Sequence, residues 1–232
     1  MSKIPAAIKA VDKNGALLVF PHNNKPTPKS IWSEFYPRTK LKWEWDDHGD
    51  QKVFKMWQLM KELSTNKDVV YSKWLGGRAT FFSRDLFVAM LALYKNTGGL
   101  TFKLSAEAKA LLSELESDSP LSTRDLKKLT GLQGKDNESA YSRGMKELFA
   151  RLLIVGFGEV EDGAFPSLAV GATRHIYEDL WLESGELDVK IAQKRVDQWI
   201  PKGTEFRKYF DRIMTGLQNQ TSVSVRSKLS ED

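Results

Sequence analysis

No cysteine occurs among the 232 residues. That single absence excludes disulfides, thiolate-held zinc, iron–sulfur clusters and cysteine nucleophiles. Nowhere does the chain offer the ~18 consecutive apolar residues of a membrane-spanning helix, and its first twenty residues lack the apolar core of a signal peptide. These absences point to a soluble, cytoplasmic chain with no membrane partner. A phosphate-binding glycine loop, a dinucleotide fingerprint and a serine elbow are missing as well, so the sequence calls for no cofactor. Histidine is scarce at three residues. His22 and His175 have no clustered partners, which argues against a metal site.

The chain is mildly basic, with a net charge of +5 and a pI near 9.2. The excess is uneven: residues 1–100 hold 16 Lys+Arg against 9 Asp+Glu, whereas residues 151–232 hold 11 against 13. A basic first half fits a polyanion partner and fits a solvated surface equally well.

Four prolines within residues 19–42 limit regular structure there to short pieces. Apolar residues from about Asp50 to Ser64 (Val53, Phe54, Trp57, Leu59, Met60, Leu63) recur at helical spacing. VVYSKWLGGRATFF at 69–82 reads as a hairpin turning at Gly76-Gly77, and Ser83 caps a densely apolar helix that ends near Gly98-Gly99. A helix spans Ser105 to about Glu116. Asp188–Trp199 and Glu205–Leu217 form a helical pair, and the polar residues from Asn219 onward predict a frayed tail. No internal repeat is visible. The division is a basic N-terminal region (1–100), a winged-helix domain (101–182), the C-terminal helical pair (183–218) and the tail (219–232).

The most informative stretch runs from Pro120 to about Ala172. Ser122 or Thr123 caps a short helix with Leu126 and Leu129 facing inward, Gly131-Leu132 supplies a turn, and a second helix follows from about Asn137 to Arg151. Tyr141, Met145, Leu148 and Leu152 make its apolar face. Two strands around Glu161-Asp162-Gly163 then form a wing. The fold class is therefore α+β, mostly helical, with winged helix-turn-helix units and short β-hairpins.

A reader of double-stranded DNA needs cationic and hydrogen-bonding side chains on the exposed side of that second helix. Lys135, Asn137, Ser139, Ser142, Arg143 and Lys146 meet the requirement, against the opposing charges of Asp136, Glu138, Glu147 and an acidic wing tip. Lys73, Trp74 and Arg78 place cations and a flat ring around the Gly-Gly tip, a combination suited to gripping a phosphate or stacking on a base. Trp43 and Trp45 read as core residues. Glu44, Asp46 and Asp47 form the densest carboxylate cluster and are the candidates for a catalytic base, although acidic residues ahead of a helix commonly serve its dipole.

SIWSEFYPRTKLKWEWDDHGD, VVYSKWLGGRATFFSRDLF and GLQGKDNESAYSRGMKELFARLLIVGFGE together resemble proteins related to the bacterial AlkZ and YcaQ DNA glycosylases, over roughly residues 30–182. The resemblance implies consecutive winged-helix units and a DNA-handling function, with removal of alkylated or crosslinked bases as the activity of the catalytic members. Their Gln-x-Gln or Gln-x-Asp motif has no counterpart in the first half, where the glutamines are Gln51 and Gln58; Gln218-Asn219-Gln220 lies in the polar tail. The expectation is a DNA-binding winged-helix protein, non-enzymatic or associated with DNA repair. Its alternatives are a DNA glycosylase and a protein-interaction module.

Overall fold

The structure is a computed structural model. It describes residues 3–43, 51–161 and 166–228, with side chains through residue 220.

The chain opens with α1 (Ile4–Asn14), β1 (Ala16–Leu18), α2 (Ile31–Phe35), α3 (Gln51–Ser64), β2 (Val69–Leu75) and β3 (Arg78–Ser83). A long helix follows, α4 (Arg84–Asn96). Then come α5 (Ala106–Ser117), β4 (Leu121–Ser122), α6 (Thr123–Leu129), α7 (Glu138–Ala150), β5 (Ile154–Val160) and β6 (Ser167–Ala172). The C-terminal part holds α8 (Thr173–Ile176), α9 (Glu178–Glu186), α10 (Val189–Trp199) and α11 (Glu205–Lys228). The fold is α+β and mostly helical, with two small antiparallel sheets.

The same six-element order occurs twice: helix, short strand, helix, helix, hairpin. The sheets repeat it as well, with orders β1-β3-β2 and β4-β6-β5. In each, the short first strand pairs with the last, and the hairpin ladder breaks part-way along its first strand, between Ser72 and Leu75 of β2 and between Gly156 and Glu159 of β5. Both units are compatible with a winged helix-turn-helix. The sequence shows no repeat because what recurs is a pattern of burial and turning, which dissimilar side chains satisfy.

The units pack reciprocally. β2 lies against β5, α7 against β2, and α3 against β5. Gly156 marks how close this is, since a Cβ there would sit 2.4 Å from Tyr71 Cδ1 of the other unit. One apolar cluster fills the first unit around Val11, Leu17, Trp32, Met56 and Phe81. A larger one joins α4 to the second unit and the C-terminal helices. Every residue of α4 from Leu86 to Tyr94 is buried, because α9, α10 and α11 cover the sides that the sheet does not. A helix buried all round carries apolar residues without a stripe. Among the described residues, no helix is long and apolar enough to cross a membrane.

Several expectations change. α1 was not legible as a helix, although Pro5 in its first turn and buried Ala7 and Val11 suit one. Leu129 is 55% exposed, since the two-turn α6 docks through Leu126. Trp43 is 59% exposed, with its ring against Phe20 and the rest in solvent, whereas Trp45 lies outside the described residues. The backbone of α11 stays helical to Lys228, past the point where its polar sequence predicted fraying.

Candidate nucleic-acid interface

Ser122 caps α6. Its hydroxyl oxygen accepts the Asp125 N–H at 3.0 Å, and its O–H donates to the Asp125 carboxylate at 2.9 Å. At the far end of α6, Gly131 takes a φ of +68°, the left-handed geometry that lets the Leu132 N–H reach back to the Lys127 carbonyl at 2.9 Å. Asn137 completes the turn, with its side-chain amide donating to the Gln133 carbonyl at 2.9 Å and to the Gly131 carbonyl at 3.4 Å. Both its side-chain N–H groups thus serve the turn, and the residue positions α7 more than it reaches outward.

α7 is held close to α5 through Gly144, where any Cβ would lie 2.8 Å from Leu111 Cδ1. Tyr141, Met145, Leu148 and Phe149 are buried behind it. Its other side presents Ser139, Arg143 and Lys146 to solvent, with Ser142 half-buried and Lys135 exposed in the preceding turn. Arg143 meets Glu107 at 3.3 Å while remaining 69% exposed. An ion pair that open contributes little, so a phosphate can displace it at small cost.

Two of the acidic residues that the sequence set against this face, Glu138 and Glu147, are drawn into pairs, whereas Asp136 stays exposed beside Lys135. Glu138 pairs with Lys127 at 2.6 Å. Glu147 turns inward to the buried Arg151 at 2.7 Å and also accepts the Ser105 hydroxyl at 2.8 Å. Burial pushes the Arg151 guanidinium below its ordinary value, and the Glu147 carboxylate opposes that shift. Glu161, just after β5, faces Lys61 of α3 at 3.7 Å.

The β2–β3 hairpin turns with positive φ at both Gly76 (+59°) and Gly77 (+90°). Its tip meets α7: Lys146 Cε lies 3.8 Å from the position a Gly77 Cβ would take. Exposed Arg78 donates to His22 Nε2 at 2.8 Å and to the Leu75 carbonyl at 3.4 Å. The other ring nitrogen, Nδ1, faces the Glu205 carboxylate at 3.5 Å. Beyond Arg78, a cleft of about 440 Å³ is lined by Leu75, Gly76, Glu205, Lys208, Tyr209 and Arg212.

Two hairpin expectations are corrected. Trp74 is 1% exposed, with its ring edge-on to Phe82 and Tyr209 at 5.5 and 4.8 Å, so it cannot stack on a base. Lys73 is half-buried towards the other unit, and its ammonium is pushed below its ordinary value by burial against the opposing pull of Glu159. Glu44, Asp46 and Asp47 lie outside the described residues. Among the described residues, no group of three His, Asp or Glu is placed to hold a metal ion. Lys208 and Arg212 escaped the sequence reading, because only the return of α11 brings them beside Arg78.

A family model described as AlkZ related matches residues 1–202. The chain belongs to the AlkZ-related family. Searches of curated proteins and of solved structures found no match. The AlkZ-related match spans both six-element units and continues through α10, and it links the chain to DNA repair. It stops short of α11, which begins at Glu205.

Proposed function

We propose that this AlkZ-related chain is a DNA-binding protein in which the solvent face of α7 and the tip of the β2–β3 hairpin meet one duplex. The observation that carries the reading is the approach of Lys146 Cε to within 3.8 Å of where a Gly77 Cβ would sit, which supports reading Arg143, Lys146 and Arg78 as one edge. Binding there exchanges condensed counterions on the phosphates for side-chain cations, which supplies most of the affinity. Ser139 and Ser142, between the cations, offer hydroxyl groups to base edges or phosphate oxygens. Lys135 lies at the N-terminal end of the same face.

Fluorescence anisotropy with a labelled duplex tests the reading. Wild type binds with affinity that falls as salt rises; Arg143→Glu with Lys146→Glu binds more weakly and with a shallower salt dependence, at an unchanged melting temperature. Equal affinity in the variant removes α7 from the interface.

Glycosylase activity is the second reading, favoured by the family relation alone. The missing glutamine motif weighs against it. Incubation with alkylated duplex and an assay for free base decides it, and no release at protein excess ends it.

A further inference from the structure

The cleft beyond Arg78 has a chemistry of its own. Three cations converge on it from two distant parts of the chain, Arg78 from the hairpin and Lys208 and Arg212 from α11, against one carboxylate, Glu205. That carboxylate faces the His22 ring, and the acid beside Arg212, Asp211, is committed to Arg207 at 2.7 Å. Among the described residues, neither Lys208 nor Arg212 has a carboxylate partner, and both are exposed.

The two guanidinium groups are also held in place. Arg212 lies over the Tyr209 ring at 4.7 Å, and Tyr209 is itself fixed edge-on against buried Trp74 at 4.8 Å. Arg78 is tied by His22 and by the Leu75 carbonyl, which occupy two of its five N–H donors and leave the rest for a ligand. A planar donor group already fixed by stacking or hydrogen bonding loses little freedom when it takes up a phosphate, and its fork matches two oxygens at once. Net positive charge, pre-set arginines and a concave shape are what a phosphoryl oxyanion requires.

We infer that the cleft of Arg78, Lys208 and Arg212 is a phosphate-binding subsite, separate from the α7 face and joined to it across the hairpin tip. It takes a phosphodiester of the strand bound along α7, and so rests on the proposed DNA binding, or a free phosphate. The buried Trp74 thereby acquires a part in positioning, since it backs the Tyr209 ring on which Arg212 lies.

The test uses the full chain, a labelled duplex and inorganic phosphate. Removing two phosphate contacts flattens the plot of log K against log salt by about 1.8, so between 50 and 200 mM salt wild type loses about 12-fold more affinity than the variant. Lys208→Ala with Arg212→Ala is expected to show that difference at an unchanged melting temperature. If the double variant binds duplex with the wild-type slope, the cleft takes no phosphodiester of the bound strand while the α7 interface stands, and titration with inorganic phosphate then decides the subsite. If wild type binds no duplex, the proposed function fails, and a phosphate titration followed by the side-chain N–H resonances of Arg78 and Arg212 decides the subsite. Saturable shifts that Lys208→Ala weakens support a free-phosphate site, and shifts absent or unaltered in the variant overturn it.

Discussion

Arg151 is the sharpest test of how α7 acquires its basic face. Its guanidinium donates to the carbonyls of Gly99, Leu100 and Phe102 at 3.2, 3.2 and 2.8 Å, to Glu147 at 2.7 Å and to the Gln220 side chain at 3.4 Å. One side chain therefore ties the loop after α4, the end of α7 and the middle of α11. Arg151→Met preserves much of the volume while removing the guanidinium donor from the Leu100 and Phe102 carbonyls, leaving the Gly99 carbonyl with the Phe102 N–H alone, and Glu147 without its cation. Breaking a buried pair from one side costs about 3–5 kcal/mol. Glu147 keeps its Ser105 hydrogen bonds and is 23% exposed, which places the expected loss near the lower end. At about 2–4 °C per kcal/mol for a chain of this size, the melting temperature falls by about 6–12 °C. Scanning calorimetry reads it directly. Glu147→Gln added to Arg151→Met restores part of the loss by removing the uncompensated charge, whereas Arg151→Lys does not, because a single ammonium nitrogen cannot serve both the carbonyls held by one guanidinium nitrogen and the Glu147 and Gln220 oxygens held by the other. A single variant within about 2 °C of wild type, or a double variant no better than the single, refutes the reasoning.

Two further outcomes follow from the packing and the ion pairs. Gly156→Ala forces a Cβ to 2.4 Å from the Tyr71 ring, which is buried against Phe81; overpacking of this kind costs about 1–3 kcal/mol, and urea unfolding should shift as one transition because the clash lies between the two units. An unshifted midpoint contradicts the reciprocal packing. The hydrogen bond from Arg207 holds the Asp197 carboxyl below the usual carboxylate range. A depressed carboxyl stabilises the fold above its ordinary value and loses that contribution as pH falls through the lowered one. Asp197→Asn therefore flattens the acid limb of stability against pH, and an unchanged limb rules the pair out as its source.

Much of the second unit was legible because its signals are local. Ser122, Gly131 and the Tyr141-Met145-Leu148 spacing each act within a few residues, and each fixes an element boundary without help from the rest of the chain. The hairpin at Gly76-Gly77 was legible for the same reason, since paired glycines carry the turn. What the hairpin side chains do was not. β2 is covered on both sides, by its own sheet's core and by β5 and α7, so the alternation that separates inward from outward residues is lost. Trp74 and Lys73 were misplaced on that account, and Trp74 finds its partners on α11, far along the chain. The inward turn of Glu147 was invisible too, because its partner Arg151 is one helical turn away and reads as another surface pair until the loop at 99–102 closes over it. Leu129 shows the converse, an apolar residue at helical spacing that a short helix leaves in solvent.

Contact of α7 and the hairpin tip with DNA would bury the lysines of that face. Lysine acetylation with an amine-reactive probe, quantified by mass spectrometry with and without saturating duplex, reads that contact residue by residue. Lys146 and Lys135 should be protected and exposed Lys190 of α10 labelled equally in both states. Equal labelling of Lys146 with duplex bound contradicts the interface.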